Sequence, residues 1–278
     1  MLLSILIPGK NDDYYNSFQK LSLNLNKIIS NIKTYGADDV EVVLCDWGST
    51  VKLTDRLNLK TDNNFKCAYV SPDIAERYNR GGKYVIPQPV NTAFKNSRGK
   101  YVIFWDSDCY VRYEDFVNLY KFVKQMDTNN DKSFYWGSRY HIPYELYTNA
   151  VCYTNLDETL KNTNISGLPH DKINCSDFGG CSISILMNRQ LWEESTGWWE
   201  ELIHWGWQDI EFHKRLCQKY SFGGDLEDQQ INFFHLNHLP ADVQELLKVR
   251  KCSEPINASS FNANGEYWGL SNENVILY

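Results

Sequence analysis

Short apolar runs alternate with amphipathic helical segments through the first half of this 278-residue chain, and that alternation restricts the fold. Runs of strand length occupy residues 2–7, 40–45, 67–70 and 101–105. Between the first two, apolar side chains recur at the spacing of one helical face: Phe18, Leu21, Leu25, Ile28, Ile29 and Ile32. Repeated strand–helix–strand units build a mostly parallel central sheet flanked by helices, so the pattern predicts an α/β fold.

The second half of the chain is less regular. The pattern predicts helices at 113–126 and 207–220, and strands at 181–187 and 231–234. Residues 140–177 are rich in Asn, Tyr and Thr and are predicted to form loops. The polar tail after residue 251 is expected only to wrap the surface. No linker or repeat separates these segments, so we expect one domain.

Charge and hydropathy argue against nucleic acid and a membrane-spanning segment as features of this chain. The formal charge of −7, with both signs interspersed, argues against nucleic acid, because phosphate backbones bind concentrated Lys and Arg. No apolar run approaches the roughly 20 residues of a membrane helix, which predicts a soluble chain with at most peripheral membrane contact. The apolar start is interpreted as a first strand and not as a leader, which favours a bacterial or viral-host cytoplasm over the Golgi. The eight cysteines stand singly, which favours reduced thiols over structural zinc and leaves open the pairing of one or two.

The sharpest local signal is a buried strand that ends in two carboxylates. The run Tyr101-Val-Ile-Phe-Trp leads directly into Asp106-Ser107-Asp108. Ligands of open α/β sheets bind beyond the carboxyl ends of the strands, which is where these acids are placed. A capped turn explains the same tripeptide, so this signal alone leaves a turn and a metal site as alternatives.

Two histidines favour the metal interpretation. His235 and His238 directly follow the predicted strand 231–234, in a chain that has only six histidines. Imidazoles three residues apart can converge on one ion, whereas a single histidine in an apolar segment is usually a core residue. Carboxylate and imidazole ligands together suit a borderline divalent ion such as Mn²⁺, with Mg²⁺ as the alternative.

A third segment combines glycines, tryptophans and an acid. Phe178-Gly179-Gly180 precedes a stretch with tryptophans at 198, 199, 205 and 207. These are too many for one core corner, and aromatic planes suit the C–H faces of sugar rings; a tryptophan-rich core is the alternative. Asp209 starts an amphipathic helix, where the macrodipole keeps a carboxylate ionised, as a catalytic base must be. The alternative for Asp209 is a structural carboxylate at a helix start.

The order and spacing of these segments resemble the β-1,4-galactosyltransferase-like and family 2-like inverting glycosyltransferases over most of the chain. Residues 7–11, Ile-Pro-Gly-Lys-Asn, are similar to their first strand-to-loop motif, Ile-Pro-x-(Arg/Lys)-Asn. Tyr78-Asn-Arg80 is similar to their (Phe/Tyr)-Asn-Arg segment. Asp106-Ser-Asp108 matches their Asp-x-Asp metal motif, and residues 205–209 are similar to their Trp-Gly-x-Glu-Asp segment.

That resemblance implies a GT-A fold, the Rossmann-like architecture that binds nucleotide sugars, as one catalytic domain over 1–278. Its nucleotide-binding half is 1–110, its acceptor-binding half 111–250 and its C-terminal tail 251–278. The donor is then a UDP-sugar, and the residues that hold it are Pro8, Lys10, Asp46, Arg80, Asn91, Asp106 and Ser107. The metal ligands are Asp108, His235 and His238, and the donor and acceptor sugars contact Gly179, Gly180, Trp205, Gly206 and Trp207. A turn carboxylate is the alternative for Asp46.

The implied reaction is the transfer of a hexose or N-acetylhexosamine, with inversion, to a hydroxyl of a glycan or glycoconjugate. Asp209 takes the proton of the acceptor hydroxyl, and the metal stabilises the departing UDP. Two positions depart from the family pattern. Gln208 stands where Glu is usual, which affects acceptor binding, and Asp177 precedes Phe-Gly-Gly, so the donor sugar does not carry over.

Other classes fit the sequence less well. A sugar-phosphate nucleotidyltransferase needs a basic, glycine-rich phosphate loop near the N-terminus, and Pro8-Gly-Lys10 is too meagre for one. A non-catalytic carbohydrate-binding module would use the tryptophans but would leave Asp209 and the nucleotide-side segments without a purpose. A metallohydrolase is the weakest option, because a water nucleophile needs no acceptor platform.

Overall fold

Two β-sheets organise the protein in a computed structural model that describes residues 1–11, 17–59, 61–82, 85–148, 155–171, 184–204, 206–238 and 260–278. The strands are β1 (Leu3–Gly9), β2 (Val40–Trp47), β3 (Phe65–Val70), β4 (Tyr101–Trp105), β5 (Cys109–Tyr110), β6 (Phe134–Gly137), β7 (Arg139–Ile142), β8 (His170–Asp171), β9 (Ser184–Asn188), β10 (Phe222–Asp225), β11 (Phe233–Leu236) and β12 (Ile276–Leu277).

The helices lie between these strands. They are α1 (Ser17–Tyr35), α2 (Leu53–Leu57), α3 (Pro72–Asn79), α4 (Pro87–Lys95), α5 (Tyr113–Asn129), α6 (Tyr144–Thr148), α7 (Leu156–Asn162), α8 (Arg189–Glu194) and α9 (Gln208–Leu216). Short 3₁₀ turns occur at Ile165–Gly167, Leu226–Gln229 and Trp268–Leu270.

The larger sheet has the strand order β10-β6-β9-β4-β1-β2-β3-β12. Strand β1 pairs in parallel with β2, where Gly9 faces Asp46, and with β4, where Leu6 faces Phe104. Strands β2 and β3 are also parallel, whereas β9 is antiparallel to both of its neighbours. The carboxyl ends of β1, β2 and β4 therefore meet at one edge, and the strand order reverses at β1 and β4, the position where such sheets bind ligands. The predicted α/β fold is confirmed.

Both faces of this sheet are covered, which explains the unbroken apolar runs. Successive side chains of a strand point to opposite faces, so Ile5 and Ile7 pack with α1 and α5, whereas Leu6 packs with α3, α4 and α9. On α1 the predicted apolar face is buried at Leu21, Leu25, Ile28 and Ile32. Burial of side chains of this kind is worth about 1.5–3 kcal/mol each and is the main term that holds the helices on the sheet.

The smaller sheet has the order β5-β11-β7-β8 and continues directly from the larger one. Residues 106–108 are the only chain between β4 of the large sheet and β5 of the small sheet. The small sheet packs its own apolar cluster against α6 and α7, with Ile142, Leu156, Phe234 and Leu236 buried. The carboxylates at the end of β4 therefore lie at the junction of the two sheets.

Several predictions about the irregular half were wrong in detail. The predicted loop 140–177 contains β7, α6, α7 and β8 in its described part, because Ile142, Tyr147, Leu156 and Leu160 bury a second apolar cluster. The strand predicted at 231–234 is Phe233–Leu236, so His235 lies within the strand and does not follow it.

The expectation that the tail only wraps the surface was also wrong. Trp268 and Leu270 are buried in the main core, and the Trp268 ring stacks on Phe94 with centroids 5.6 Å apart. Strand β12 adds to the edge of the large sheet, antiparallel to β3. A polar, Asn-rich composition conceals these few anchoring residues, because hydropathy averages over the whole segment.

Two smaller observations concern membranes and cysteines. Among the helices that the structure describes, none combines the length and hydropathy that a membrane crossing requires. Cys45, Cys67, Cys109 and Cys217 are free thiols, and Cys217 is exposed where the others are buried. Cysteines 152, 175, 181 and 252 lie outside the described residues.

The C-terminal segment should contribute to global stability. We expect Trp268→Ala to lower the free energy of unfolding by about 3–5 kcal/mol, because it removes a buried indole from the core. The matched control is Tyr267→Ala, since Tyr267 is 59% exposed where Trp268 is 7% exposed. The control should change stability by at most about 0.5 kcal/mol. Urea denaturation measures both, and equal effects would contradict the anchoring role.

Candidate metal and nucleotide site

Asp108, His235 and His238 converge on one point. Their potential ligand atoms all lie within 4.8 Å of one another. The Nε2 atoms of His235 and His238 are each 3.3 Å from Oδ2 of Asp108. All three side chains keep some contact with solvent, so the cluster is reachable from outside.

Strand pairing explains why residues so far apart in sequence meet. In the antiparallel ladder between β5 and β11, His235 lies opposite Cys109. The Leu236 N–H donates to the Asp108 carbonyl at 3.0 Å, which fixes the end of β11 against residue 108. His238 follows two residues after β11 ends, and its side chain returns to the same carboxylate.

The two histidines have different hydrogen-bond partners on their second nitrogen. The Nδ1 atom of His235 lies 3.0 Å from Oδ1 of Asn237, an acceptor, so this nitrogen donates. The Nδ1 atom of His238 lies 2.8 Å from the Lys20 ammonium, which only donates, so this nitrogen accepts. Burial acts to raise the pKa of Asp108, but the two imidazoles and Lys20 outweigh it and hold the pKa well below its usual range.

Asp106 has the opposite electrostatic environment. Burial is the largest cause that raises its pKa well above the usual range, followed by the charges of Asp108 and Asp209, while Arg139 opposes the shift. Asp209, in the first turn of α9, and Arg139, on β7, are thus among the charges that act on Asp106.

The nucleotide-side residues at the ends of β1 and β2 differ in exposure. Pro8 is half-buried and Lys10 is exposed. Asp46 is fully buried, and its carboxylate accepts the Leu53 N–H at 2.8 Å, which holds the chain entering α2. Burial raises the pKa of Asp46. This contact is the turn-holding role that the sequence left as the alternative for Asp46.

Arg80 and Asn91 both contact the segment that leads toward Asp209. Arg80 pairs with Glu201 at 2.7 Å and donates to the Glu200 carbonyl at 2.8 Å. Asn91 is fully buried and donates to the Trp198 carbonyl and to the Glu200 carboxylate, while its own oxygen accepts the Trp198 N–H. In the structure, Asn91 thus connects α4 to residues 198–200 through hydrogen bonds within the protein.

The tryptophan-rich segment divides between core and surface. Trp198 is 3% exposed and packs in the main core, so the core interpretation is correct for that residue. Gly206 and Trp207 are half-buried and both adopt positive φ, at 89° and 69°, in the turn before α9. Gln208 is buried and donates to the His204 carbonyl, so it packs inward. Gly179, Gly180 and Trp205 lie outside the described residues, as does Asp177.

Asp209 stands in the first turn of α9, as predicted, and is half-buried. Ser107 lies between the two acids of the turn and is also half-buried. The structure therefore brings the three predicted metal ligands together beside Asp106 and Ser107, and Asp209 acts electrostatically on Asp106. The described contacts of Asp46 and Asn91 are with the protein scaffold.

Sequence reasoning missed three residues of this site. Lys20 and Asn24 lie one turn apart on the buried face of α1, and Asn24 donates to the Asp106 carbonyl at 3.1 Å. Polar residues within an otherwise apolar helical face were a usable signal for both. Arg139 had no such signal, because its approach to Asp106 depends on the position of β7, a strand that the sequence did not predict.

With the fold and this site in view, the chain belongs to the glycosyltransferase-like family 2, which matches residues 19–229. The poly(ribitol-phosphate) beta-glucosyltransferase of Bacillus spizizenii is 32% identical over 126 residues, which are 45% of this chain and 18% of that protein. The crystal structure of S. aureus TarS 1-349 shares the fold, with a TM-score of 0.51 and 16% identity over 90% of this chain and 64% of that chain. The chain thus spans less than two thirds of the length of either relative.

The contacts of Asn91 predict a structural effect. We expect Asn91→Leu to lower the free energy of unfolding by about 2–4 kcal/mol, because it leaves buried polar groups of residues 198–200 without their partner. Hydrogen exchange at the Trp198 amide should accelerate. The control is Asn96→Ala at the C-terminal cap of the same helix, where one hydrogen bond to the Thr92 carbonyl is lost and the free energy of unfolding should fall by about 1 kcal/mol. An unchanged exchange rate of the Trp198 amide would contradict the proposed role of Asn91 in holding residues 198–200.

Proposed function

We propose that this chain is an inverting, metal-dependent glycosyltransferase that moves a hexose or N-acetylhexosamine from a UDP-sugar to a hydroxyl of a glycan or glycoconjugate. The observation that carries the proposal is the convergence of Asp108, His235 and His238 at the carboxyl end of β4. Membership of the glycosyltransferase-like family 2 supports the reaction class.

The three proposed metal ligands fit a divalent ion. Ligand atoms about 2.0–2.2 Å from one ion are about 3.0–3.5 Å apart when they occupy neighbouring coordination positions. The two observed separations from Asp108 to the histidines are 3.3 Å. One carboxylate and two imidazoles suit Mn²⁺, with Mg²⁺ as the harder alternative. When bound there, the ion supplies Lewis-acid stabilisation of the diphosphate leaving group.

The two histidines differ in which ring nitrogen is engaged by a neighbouring side chain as a donor and which as an acceptor. His235 donates from Nδ1 to Asn237, so Nε2 is the nitrogen that faces Asp108 and that would hold an ion. His238 accepts from Lys20 at Nδ1, so its Nε2 carries the proton. Nε2 of His238 can bind an ion only after it loses its proton, and the ring then has to release the hydrogen bond from Lys20 to carry the proton on Nδ1. We therefore expect binding of the metal ion to displace the Lys20 ammonium.

Asp209 is the proposed base. It is half-buried and lies at the start of α9, where the helix dipole favours the ionised carboxylate. In the proposed reaction the acceptor hydroxyl gives its proton to Asp209 as its oxygen attacks the anomeric carbon. The bond from that carbon to the diphosphate oxygen breaks on the opposite face, so the configuration inverts.

The curated relative suggests the first substrates to test. Its name specifies a β-glucosyl product on poly(ribitol phosphate). If the donor is α-linked, a β-linked product requires inversion, which agrees with the proposed role of Asp209. We therefore take UDP-glucose as the first donor and a polyol-phosphate polymer as the first acceptor.

We also propose a single catalytic domain, with residues 1–110 on the nucleotide side and 111–250 on the acceptor side. The two large apolar clusters lie on opposite faces of one sheet and share its strands, which supports this organisation. Trp268 joins one of these clusters, so the tail 251–278 is part of the same unit in this proposal.

A donor screen tests the reaction class and the metal together. Purified protein is incubated with UDP-, GDP-, TDP- and CMP-sugars, with Mn²⁺ or EDTA, and nucleotide release is measured. We expect release from a UDP-sugar that EDTA abolishes, and a loss of Mn²⁺ binding in Asp108→Asn. Sugar binding without nucleotide binding or release would indicate a carbohydrate-binding module, and synthesis of UDP-sugar from UTP and sugar phosphate would indicate a nucleotidyltransferase.

Asp209→Asn tests the base. General-base contributions are typically about 10²–10⁴-fold, so we expect kcat to fall by that factor while UDP and Mn²⁺ affinities stay within about twofold. The control is Glu193→Gln, which removes an exposed carboxylate from α8 and should leave kcat unchanged. Wild-type turnover in Asp209→Asn would exclude this residue as the base.

A further inference from the structure

Asn237 lies where the two neighbours β11 and β7 end beside the proposed metal ligands. Its backbone N–H donates to the Ile142 carbonyl at 3.1 Å, and its own carbonyl accepts the Tyr147 hydroxyl. The preceding residue, Leu236, donates its N–H to the Asp108 carbonyl at 3.0 Å. These hydrogen bonds fix the backbone of Asn237 and so fix the position from which its side chain extends.

The side-chain oxygen of Asn237 lies between two histidine rings. Its Oδ1 is 3.0 Å from Nδ1 of His235 and 2.8 Å from Nδ1 of His141. An amide oxygen only accepts hydrogen bonds, so both ring nitrogens donate to it. In a neutral ring that carries its proton on Nδ1, the lone pair is on Nε2. For His235 this is the atom that faces Asp108 at 3.3 Å.

Nε2 is thus the ring nitrogen that His235 does not commit to Asn237, and it is directed at the same Asp108 oxygen that His238 approaches at 3.3 Å. The position of the Asn237 oxygen thus engages Nδ1 of His235 and directs Nε2 toward the proposed metal ligands. The ring of His238 carries its proton on the opposite nitrogen, because Lys20 occupies Nδ1, so this arrangement is specific to His235.

A further pair of residues holds this arrangement from outside. Nε2 of His141 is 2.8 Å from Oδ2 of Asp171, and the same oxygen accepts from Nε of Arg139 at 3.0 Å. The His141 and His235 rings meet edge to face, with centroids 5.2 Å apart. Asp171 and His141 therefore restrict the ring that shares the Asn237 oxygen, and the chain of contacts runs from Asp171 through His141 and Asn237 to His235.

We propose that Asn237 is a positioning residue that holds His235 in the tautomer with Nε2 free for a divalent ion, and that His141 and Asp171 hold Asn237 in place. The inference rests on the proposed metal site. Outer partners of this kind orient a ligating histidine, and their loss typically costs about 10–100-fold in metal affinity.

Mn²⁺ binding to the full chain, measured by electron paramagnetic resonance without nucleotide, tests the proposal. We expect Asn237→Ala to weaken Mn²⁺ binding by about 10–100-fold. Asn237→Asp keeps an acceptor oxygen and should bind within a few-fold of wild type or more tightly. The matched control is Tyr140→Phe, which removes a hydroxyl from the residue beside His141 whose partner is Glu227, outside this chain of contacts.

Nitrogen-15 NMR of wild-type, metal-free protein supplies a readout that does not depend on the stability of a variant. The His235 ring should show the proton on Nδ1, and in Asn237→Ala it should shift toward the Nε2–H form. A wild-type His235 with its proton on Nε2, or Asn237→Ala binding Mn²⁺ as wild type does, would overturn this inference and leave the metal site standing. A wild-type chain that binds no Mn²⁺ would overturn the metal site and, with it, the role of Asn237.

Discussion

The turn at residues 106–108 is the constraint on which the rest of the site depends, because it carries the chain from the large sheet into the small one. The Trp105 indole donates to the Cys109 carbonyl at 2.7 Å, and the Cys109 N–H donates to the Asp106 carbonyl at 3.1 Å. These bonds close the turn across its two ends. Since β5 then pairs with β11, Asp108 must lie beside His235. The convergence of Asp108 with the two histidines is thus a consequence of how two sheets share one strand connection.

Helix α1 supports that turn with a polar stripe inside its apolar face. Its apolar residues pack on the sheet, while Lys20, Asn24 and Asn31 are buried among them. Asn24 donates to the Asp106 carbonyl at 3.1 Å and Asn31 to the Val111 carbonyl at 3.4 Å, so both bind backbone near the turn and β5. Burying the side-chain N–H groups of these amides would be costly without acceptors, and the carbonyls of an irregular connection supply them. One helix therefore stabilises the sheet and positions the site.

Local patterns predicted what local interactions determine. The run 101–105 and its two acids were predicted together because the strand, the turn and the two carboxylates are adjacent in sequence. The convergence of His235 and His238 was predicted from their spacing, but Asn237, between them, was not given a role. Its partner His141 is 96 residues away in sequence, on strand β7, and the polar composition of that segment had predicted a loop. The sequence also could not decide whether Trp198 belongs to the core or to a sugar-binding surface, because an apolar indole suits both. Its packing on Phe104 and Phe212 assigns it to the core.

The geometry between the proposed base and the donor side depends on contacts remote from both. Arg215, on the same helix as Asp209, is 1% exposed and forms an ion pair with Glu211 at 2.5 Å. Its guanidinium also donates to the carbonyls of Ser195 and Gly197, both at 2.7 Å. Asn91 clamps the residues that follow. A buried ion pair is weak evidence for stability, since desolvation offsets much of its attraction, but it restricts orientation. Here the fixed donors of one guanidinium hold α9 to the segment that Asn91 ties to α4, so the position of α9, and of Asp209 in its first turn, is set by the core.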